Sequence, residues 1–246
     1  KQAIEINPGS AEAYNNLGLN YEKLNEYERA VDQYKRAIQI KPNYYEALNN
    51  MGLALTELEK YSEAENILKQ AIRISPKQVQ AYNNLGNIHN RVKNYYKAKT
   101  YYKKVIELDP NFWIAYNNLG NLYQLMEEYN RAISLYKKFI KINPNFAKAY
   151  NDMGVIIKEI KKYEEAEKVL KHVIKLYPEF AEAHYNLGKV FSLVGDYKNS
   201  IHHLKIAISQ DANSVVFLQN LLFCINYSPS MSAEEIFEYY KQFDQR

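Results

Sequence analysis

Apolar and polar positions along the chain repeat with one period. From Ala11 onward a large side chain returns every 34 residues at the fourth place of a unit, as Tyr14, Leu48, Tyr82, Tyr116, Tyr150 and His184. Leu or Met follows at the seventh place, as Leu17, Met51, Leu85, Leu119, Met153 and Leu187. With the eleventh place these make one stripe at 100° per residue, the signature of an amphipathic helix. Tyr27, Tyr61, Tyr95, Tyr129, Tyr163 and Tyr197 at the seventeenth place mark the start of a second helix. A small residue at the twentieth place (Ala30, Ala64, Ala98, Ala132, Ala166, Ser200) lets the two helices close as a hairpin. The pattern therefore predicts six helix-turn-helix units, at 11–44, 45–78, 79–112, 113–146, 147–180 and 181–214. Residues 1–10 fall in register with the end of a preceding, truncated unit, since Ala3 and Pro8 match it.

Composition sharpens this picture. Among 246 residues there are only 8 Gly and 7 Pro, and six of each sit on the same 34-residue ruler. Gly18, Gly52, Gly86, Gly120, Gly154 and Gly188 occupy the eighth place. Gly inside a helix costs about 1 kcal/mol relative to Ala, so its return predicts close approach by the backbone of a neighbouring helix. Pro8, Pro42, Pro76, Pro110, Pro144 and Pro178 fall where the second helix must stop, because Pro cannot continue a helix and presets the following turn. A period of 20 to 50 residues means stacked supersecondary units. The net charge of +4 is too small to point to nucleic acid. No stretch approaches the roughly 18 to 20 apolar residues of a membrane span. The single Cys fits a reducing compartment, and a cytoplasmic location is the expectation.

One column is not explained by packing. The sixth place holds Asn16, Asn50, Asn84, Asn118, Asp152 and Asn186, and the fifth holds Asn15, Asn49, Asn83, Asn117, Asn151 and Tyr185. Asn in a helix interior costs roughly 0.6 kcal/mol against Ala, so ten of them sacrifice on the order of 6 kcal/mol. The second, fifth, sixth, ninth and thirteenth places form a stripe opposite the buried one, and this stripe is expected to face a groove. A primary amide can pair with both N–H and C=O of an extended peptide backbone. The candidate peptide-binding residues are therefore Asn16, Asn50, Asn84, Asn118, Asp152, Asn186 and, placed in register beyond the sixth unit, Asn220, with Asn87 and Asn121 from the ninth place. Asp152 keeps acceptors and loses donors, so its rung should prefer a basic or N–H-rich stretch. The alternative is that these amides bond between neighbouring repeats.

The 34-residue pattern resembles the tetratricopeptide repeat family over residues 1–214. That resemblance implies an all-α, right-handed superhelical solenoid whose first helices line a concave groove, and a binding function rather than catalysis. The tail departs from the period: Ala212 stands where Pro is due, and Ser232-x-x-Glu235 reads as a capping box opening an amphipathic helix with Ile236, Phe237, Tyr240 and Phe243. Residues 215–246 are thus expected to form a partial seventh repeat and a C-terminal cap. The stretch Asn220 to Phe237 resembles the junction at which the repeats of O-linked N-acetylglucosamine transferases meet their glycosyltransferase region. This resemblance implies a substrate-recognition arm that holds extended protein segments, with the nucleotide-sugar domain beyond Arg246. The main alternative is a stand-alone scaffold or adaptor organising a protein complex. A chaperone-tail carboxylate clamp, as such repeats can build, fits poorly: its nearest match is Asn83, Asn87, Asn118, Lys148 and Asp152, in which an expected Lys is missing and an expected Arg is reversed in charge. The helical-repeat readers of RNA are disfavoured by motif and by the balance of Lys23, Arg91 and Lys148 against Glu12, Glu46 and Glu182.

No catalytic residue, metal site or cofactor is expected. The chain has no GxGxxG, phosphate-binding Gly-rich loop, CxxC or HExxH. His89 and His184 take packing places, His202 and His203 lack an evident third ligand, and Cys224 sits in an apolar helix, buried and inert. Partners are expected to be proteins or extended peptides, with neither nucleic acid nor membrane; the sequence leaves self-association open.

Overall fold

The computed structural model describes residues 7–229 and 231–244. Among them lie fourteen helices and no strand: α1 (Ala11–Lys23), α2 (Tyr27–Ile40), α3 (Tyr45–Glu57), α4 (Tyr61–Ile74), α5 (Val79–Arg91), α6 (Tyr95–Leu108), α7 (Trp113–Leu125), α8 (Tyr129–Ile142), α9 (Ala147–Glu159), α10 (Tyr163–Leu176), α11 (Ala181–Leu193), α12 (Tyr197–Gln210), α13 (Val215–Tyr227) and α14 (Ala233–Asp244). Every first helix starts at the first place of the 34-residue unit, and every second helix starts on the seventeenth-place Tyr. The fold is the all-α stack of helical hairpins that the periodicity implies.

The turn inside each hairpin is the same in all six repeats. The N–H of the sixteenth residue bonds back to the C=O five residues earlier, as Glu26 to Tyr21 and Lys60 to Leu55, while the fifteenth bonds three residues back, as Asn25 to Glu22. This is a Schellman cap, which places its fifteenth residue in the left-handed region. Gly195 takes that position without a Cβ penalty, but Asn25, Glu59, Lys93, Glu127 and Lys161 adopt it too, with φ between 58° and 62°. The turn between repeats closes on the Pro: the N–H of Tyr44 bonds to the C=O of Lys41 across Pro42, and Gln78 bonds to Ser75 across Pro76.

The chain divides into two compact units, residues 1–122 and 123–246. In the first, Ala30, Tyr34, Leu48, Leu55, Ala64, Leu68, Leu85 and Ile88 form a continuous buried core. In the second, Leu204, Ala207, Phe217, Leu221, Cys224 and Ile225 form another, with Met231, Ile236 and Tyr239 packed against it. Within each unit the first helices of successive repeats touch: α1 meets α3 and α3 meets α5, and α9 meets α11 and α11 meets α13.

Two details correct the sequence reading. At the eighth-place glycines Gly18, Gly52, Gly86, Gly154 and Gly188 it is a side chain that comes closest, and at Gly188 a backbone atom of the next helix, the Ser200 carbonyl oxygen, also comes near, at 3.3 Å from a Cβ. These glycines admit the twenty-fourth-place side chain of the same hairpin: a Cβ on Gly52 would lie 2.5 Å from Leu68 Cγ, and one on Gly86 would fall within the ring of Tyr102. On α14 the packed side chains are Ile236 and Tyr239, whereas Phe237 is 66% exposed; the side chain of Phe243 lies outside the described residues. The capping box itself is formed, with the Ser232 N–H donating to Glu235 Oε2 at 2.8 Å and the Glu235 N–H donating to Ser232 Oγ at 3.2 Å.

Candidate functional site

The asparagine column becomes a chain of amide contacts between repeats. Nδ2 of Asn50 donates to Oδ1 of Asn15 at 3.2 Å, Nδ2 of Asn84 to Oδ1 of Asn49 at 3.1 Å, and Nδ2 of Asn118 to Oδ1 of Asn83 at 3.1 Å. The second unit repeats the motif: Asn186 donates to Asn151 Oδ1 at 2.9 Å, and Asn220 donates to the Tyr185 hydroxyl at 3.3 Å. In every case the sixth-place amide donates to the fifth-place residue of the preceding repeat. The two places lie on opposite flanks of one helical stripe, 100° apart, so stacked helices turn the sixth place of one toward the fifth place of the other.

Burial separates the two columns. Asn15, Asn83 and Asn151 are buried, so in these repeats the fifth place does not face a groove as the helical wheel suggested, while Asn49, Asn117 and Tyr185 are half-buried. The fifth place lies on the edge of the stripe nearest the buried eighth place and is covered by the adjoining first helix. The sixth-place residues stay reachable: Asn16 is exposed, and Asn50, Asn84, Asn118, Asp152 and Asn220 are half-buried. Asn186 is the exception, at 8% exposure. One N–H of each bonded sixth-place amide serves the neighbouring repeat; Asn118 gives its second to Asn87 Oδ1 and Asn220 gives its second to the Val216 carbonyl, whereas Asn50 and Asn84 keep a second N–H and an Oδ1 for other partners.

The remaining sequence candidates fall around this line. Oδ1 of Asn87 accepts from Asn118 Nδ2 at 3.1 Å and from the Tyr102 hydroxyl at 2.9 Å, so its acceptor serves the repeat interior. Asn121 is exposed on α7. Asp152 has no N–H to give and instead accepts from Asn151 Nδ2 at 3.1 Å, with Lys148 Nζ 3.5 Å away. Burial raises its carboxyl pKa and the Lys148 ammonium opposes that shift. Lys148 also reaches Glu182 at 3.5 Å, and Arg91 reaches Glu57 at 2.7 Å, so the charges of this face are partly paired across repeats.

Among the described residues the titratable side chains mostly serve packing and repeat contacts. Burial lifts the phenol pKa of Tyr34, Tyr102 and Tyr136, which removes them as proton donors or acceptors near neutral pH. His184 Nδ1 lies 3.0 Å from His203 Nδ1, and His184 Nε2 lies 3.0 Å from the Pro178 carbonyl. Sequence reasoning took His184 for packing and did not foresee this pair, because only the hairpin brings the fourth and twenty-third places together. Among the described residues no group of three His, Cys, Asp or Glu side chains is arranged to hold a metal ion. Cys224 is buried, with Sγ 3.1 Å from Ser200 Oγ. No helix of the described residues is long and apolar enough to cross a membrane.

Comparison with known proteins agrees with the geometry. The tetratricopeptide repeat model matches residues 11–44, 79–112 and 113–146, a second repeat model matches 52–92 and 158–195, and a third matches 135–168. Together these matches cover most of the chain, which belongs to the tetratricopeptide repeat family. No curated protein matches it. Among solved structures it is similar to a chain of the APC/C hetero-tetramer Cut9-Hcn1, at 17% identity and a TM-score of 0.63, over 91% of this chain and 44% of that one. PilF of Pseudomonas aeruginosa gives 17% identity and a TM-score of 0.63 over 85% of this chain and 95% of its own. The MamA protein gives 25% and 0.57, over 70% and 94%. With 520 matching chains, the likeness identifies a widely shared fold and singles out no partner.

Proposed function

We infer that this chain, as a tetratricopeptide repeat protein, is a protein-interaction scaffold. We propose that this chain binds extended protein segments along the face that carries the sixth-place amides, and that it serves as the recognition arm of a protein like the O-linked N-acetylglucosamine transferases. The observation that supports the binding reading is that Asn16 is exposed and Asn50, Asn84 and Asn118 are only half-buried, whereas the fifth-place Asn15 and Asn83 are buried. At Asn50 and Asn84 the bond to the preceding repeat fixes the amide through one N–H and presents an Oδ1 and a second N–H in a set orientation, which lowers the entropy lost when a flexible backbone is held. The transferase assignment rests on the junction-like segment Asn220 to Phe237.

A second reading has its own support. Because the amides bond to each other, the column also works as inter-repeat glue in a scaffold that organises a complex through other surfaces. Fluorescence anisotropy with dye-labelled, Ser- and Thr-rich peptides separates the two. Replacing Asn16, Asn50, Asn84 and Asn118 by Ala, with helicity checked by circular dichroism, abolishes binding if the amides hold the peptide. Undiminished binding by a folded variant assigns the column to the scaffold alone.

A further inference from the structure

We propose that the sixth-place face of the second unit, residues 123–246, ends in a pocket between α11 and α13 that takes one apolar side chain of the bound peptide, next to an acidic residue. The proposal rests on the peptide-binding reading above. The twenty-fourth place differs between repeats: it is Tyr in the first, third and fourth and Leu in the second, fifth and sixth. In the third repeat that place is Tyr102, whose ring fills the slot over Gly86 and whose hydroxyl reaches Asn87 at the ninth place, 2.9 Å away. In the sixth repeat it is Leu204, which packs against Gly188 and is too short to span to the ninth place, where Lys189 stands. A hollow of about 210 Å³ lies beside it, lined by Lys189, Ser192 and Leu193 of α11, Leu204 of α12, and Asn220, Phe223 and Cys224 of α13.

The lining sets the ligand chemistry. Leu204 and Cys224 form a buried apolar floor, and Leu193 and Phe223, each more than half exposed, wall the mouth. The volume is below the roughly 300–1,000 Å³ of a small-molecule site, so a single aliphatic side chain fits and a whole metabolite does not. Lys189, Leu193 and Phe223 occupy ninth and thirteenth places, on the same stripe as the sixth-place amides, and Asn220 on the rim is itself a sixth-place amide. A peptide lying along that stripe passes over the opening. Lys189 Nζ stands 5.8 Å from the Tyr185 ring centroid, and among the described residues no carboxylate lies within ion-pair distance of it. Its ammonium therefore complements an acidic residue beside the anchoring side chain.

The test uses the full chain and labelled twelve-residue peptides of Ser, Thr and Gly that carry either Leu-Glu or Ser-Gln at the centre, read by fluorescence anisotropy. The Leu-Glu peptide should bind at least about tenfold more tightly, the yield of burying one Leu side chain. Leu204→Tyr installs the side chain that the first and third repeats already carry over their own eighth-place Gly. It should erase the preference while leaving Ser-Gln binding unchanged; should it fail to fold, Phe223→Ser tests the same wall. Lys189→Glu should lower the affinity for Leu-Glu more than for a Leu-Gln peptide. Equal binding of the Leu-Glu and Ser-Gln peptides by the wild-type chain overturns the pocket and leaves the amide face standing, whereas no binding of either overturns both. A dimer in sedimentation that Leu204→Tyr dissociates makes a second copy of the chain the occupant and also overturns the proposal.

Discussion

At the scale of the residue, the asparagine column shows how tertiary contact reverses a sign. Taken alone, each Asn→Ala change gains roughly 0.6 kcal/mol of helix propensity. In the structure Asn84 bonds to Asn49 and Asn186 bonds to the buried Asn151, so truncation loses a hydrogen bond and strands a carbonyl oxygen, at about 1 kcal/mol for each loss. Asn84→Ala is therefore expected to destabilise by about 1 kcal/mol and Asn186→Ala by about 2 kcal/mol in chemical denaturation, the latter more because its partner has no water to turn to. The Asn49→Ala, Asn84→Ala double variant should cost less than the sum of the singles, since both break one contact. The fifteenth-place turn acts in the opposite direction. Glu59, Lys93 and Lys161 hold a left-handed backbone at a cost of roughly 1 kcal/mol each. Glu59→Gly or Lys161→Gly should raise the melting temperature, the direction already taken at Gly195, and an unchanged or lower value would show that the side chain offsets the strain.

At the scale of the element, the hairpin is a slot and a filler. The eighth-place Gly leaves room for the twenty-fourth-place side chain, and the tightness of the fit differs between repeats. A Cβ at Gly86 would overlap the rigid ring of Tyr102, while one at Gly154 would lie 3.0 Å from Leu170 Cδ2. Gly86→Ala is thus expected to lower stability markedly more than Gly154→Ala, and Gly86→Ala with Tyr102→Leu should recover part of the loss; equal effects at both sites would argue against the slot. The periodicity made the helices, their starts and the capping box legible, because 3.6-residue spacing, seventeenth-place Tyr and Ser232-x-x-Glu235 are local signals. The occupant of the slot was not legible. Which atom fills the space beside a Gly depends on the crossing of two helices sixteen residues apart, and no local pattern encodes it.

At the scale of the whole molecule, stability depends on the coupling of each repeat to its neighbours, and the sixth repeat carries a titratable joint. With His184 Nε2–H donating to the Pro178 carbonyl, His184 Nδ1 accepts from His203 Nδ1–H, an arrangement that needs a neutral His184. Burial first, then the charges of His184, His202 and Lys171, depress the His203 pKa from about 6.5 to about 4, and burial lowers His184 as well. Between those values the unfolded chain binds more protons than the folded one. The stability contribution is therefore complete above pH 6.5 and is lost as pH falls from about 6.5 toward 4. Melting temperatures measured across that window should fall with acid, and His184→Tyr combined with His203→Leu should flatten the curve; buried His89, whose pKa burial also lowers, leaves a residual slope of the same sign. By itself the amino-acid sequence determined the period, the all-α hairpins, the binding class and the residues set apart from packing, because each is written in spacing along one helix or turn. Only the tertiary structure decided that sixth-place amides donate to fifth-place ones, that a hollow lies beside Leu204, and that two histidines share a proton. These depend on how one helix is rotated against the next, and a difference of a few ångströms there exchanges a hydrogen bond for an open surface.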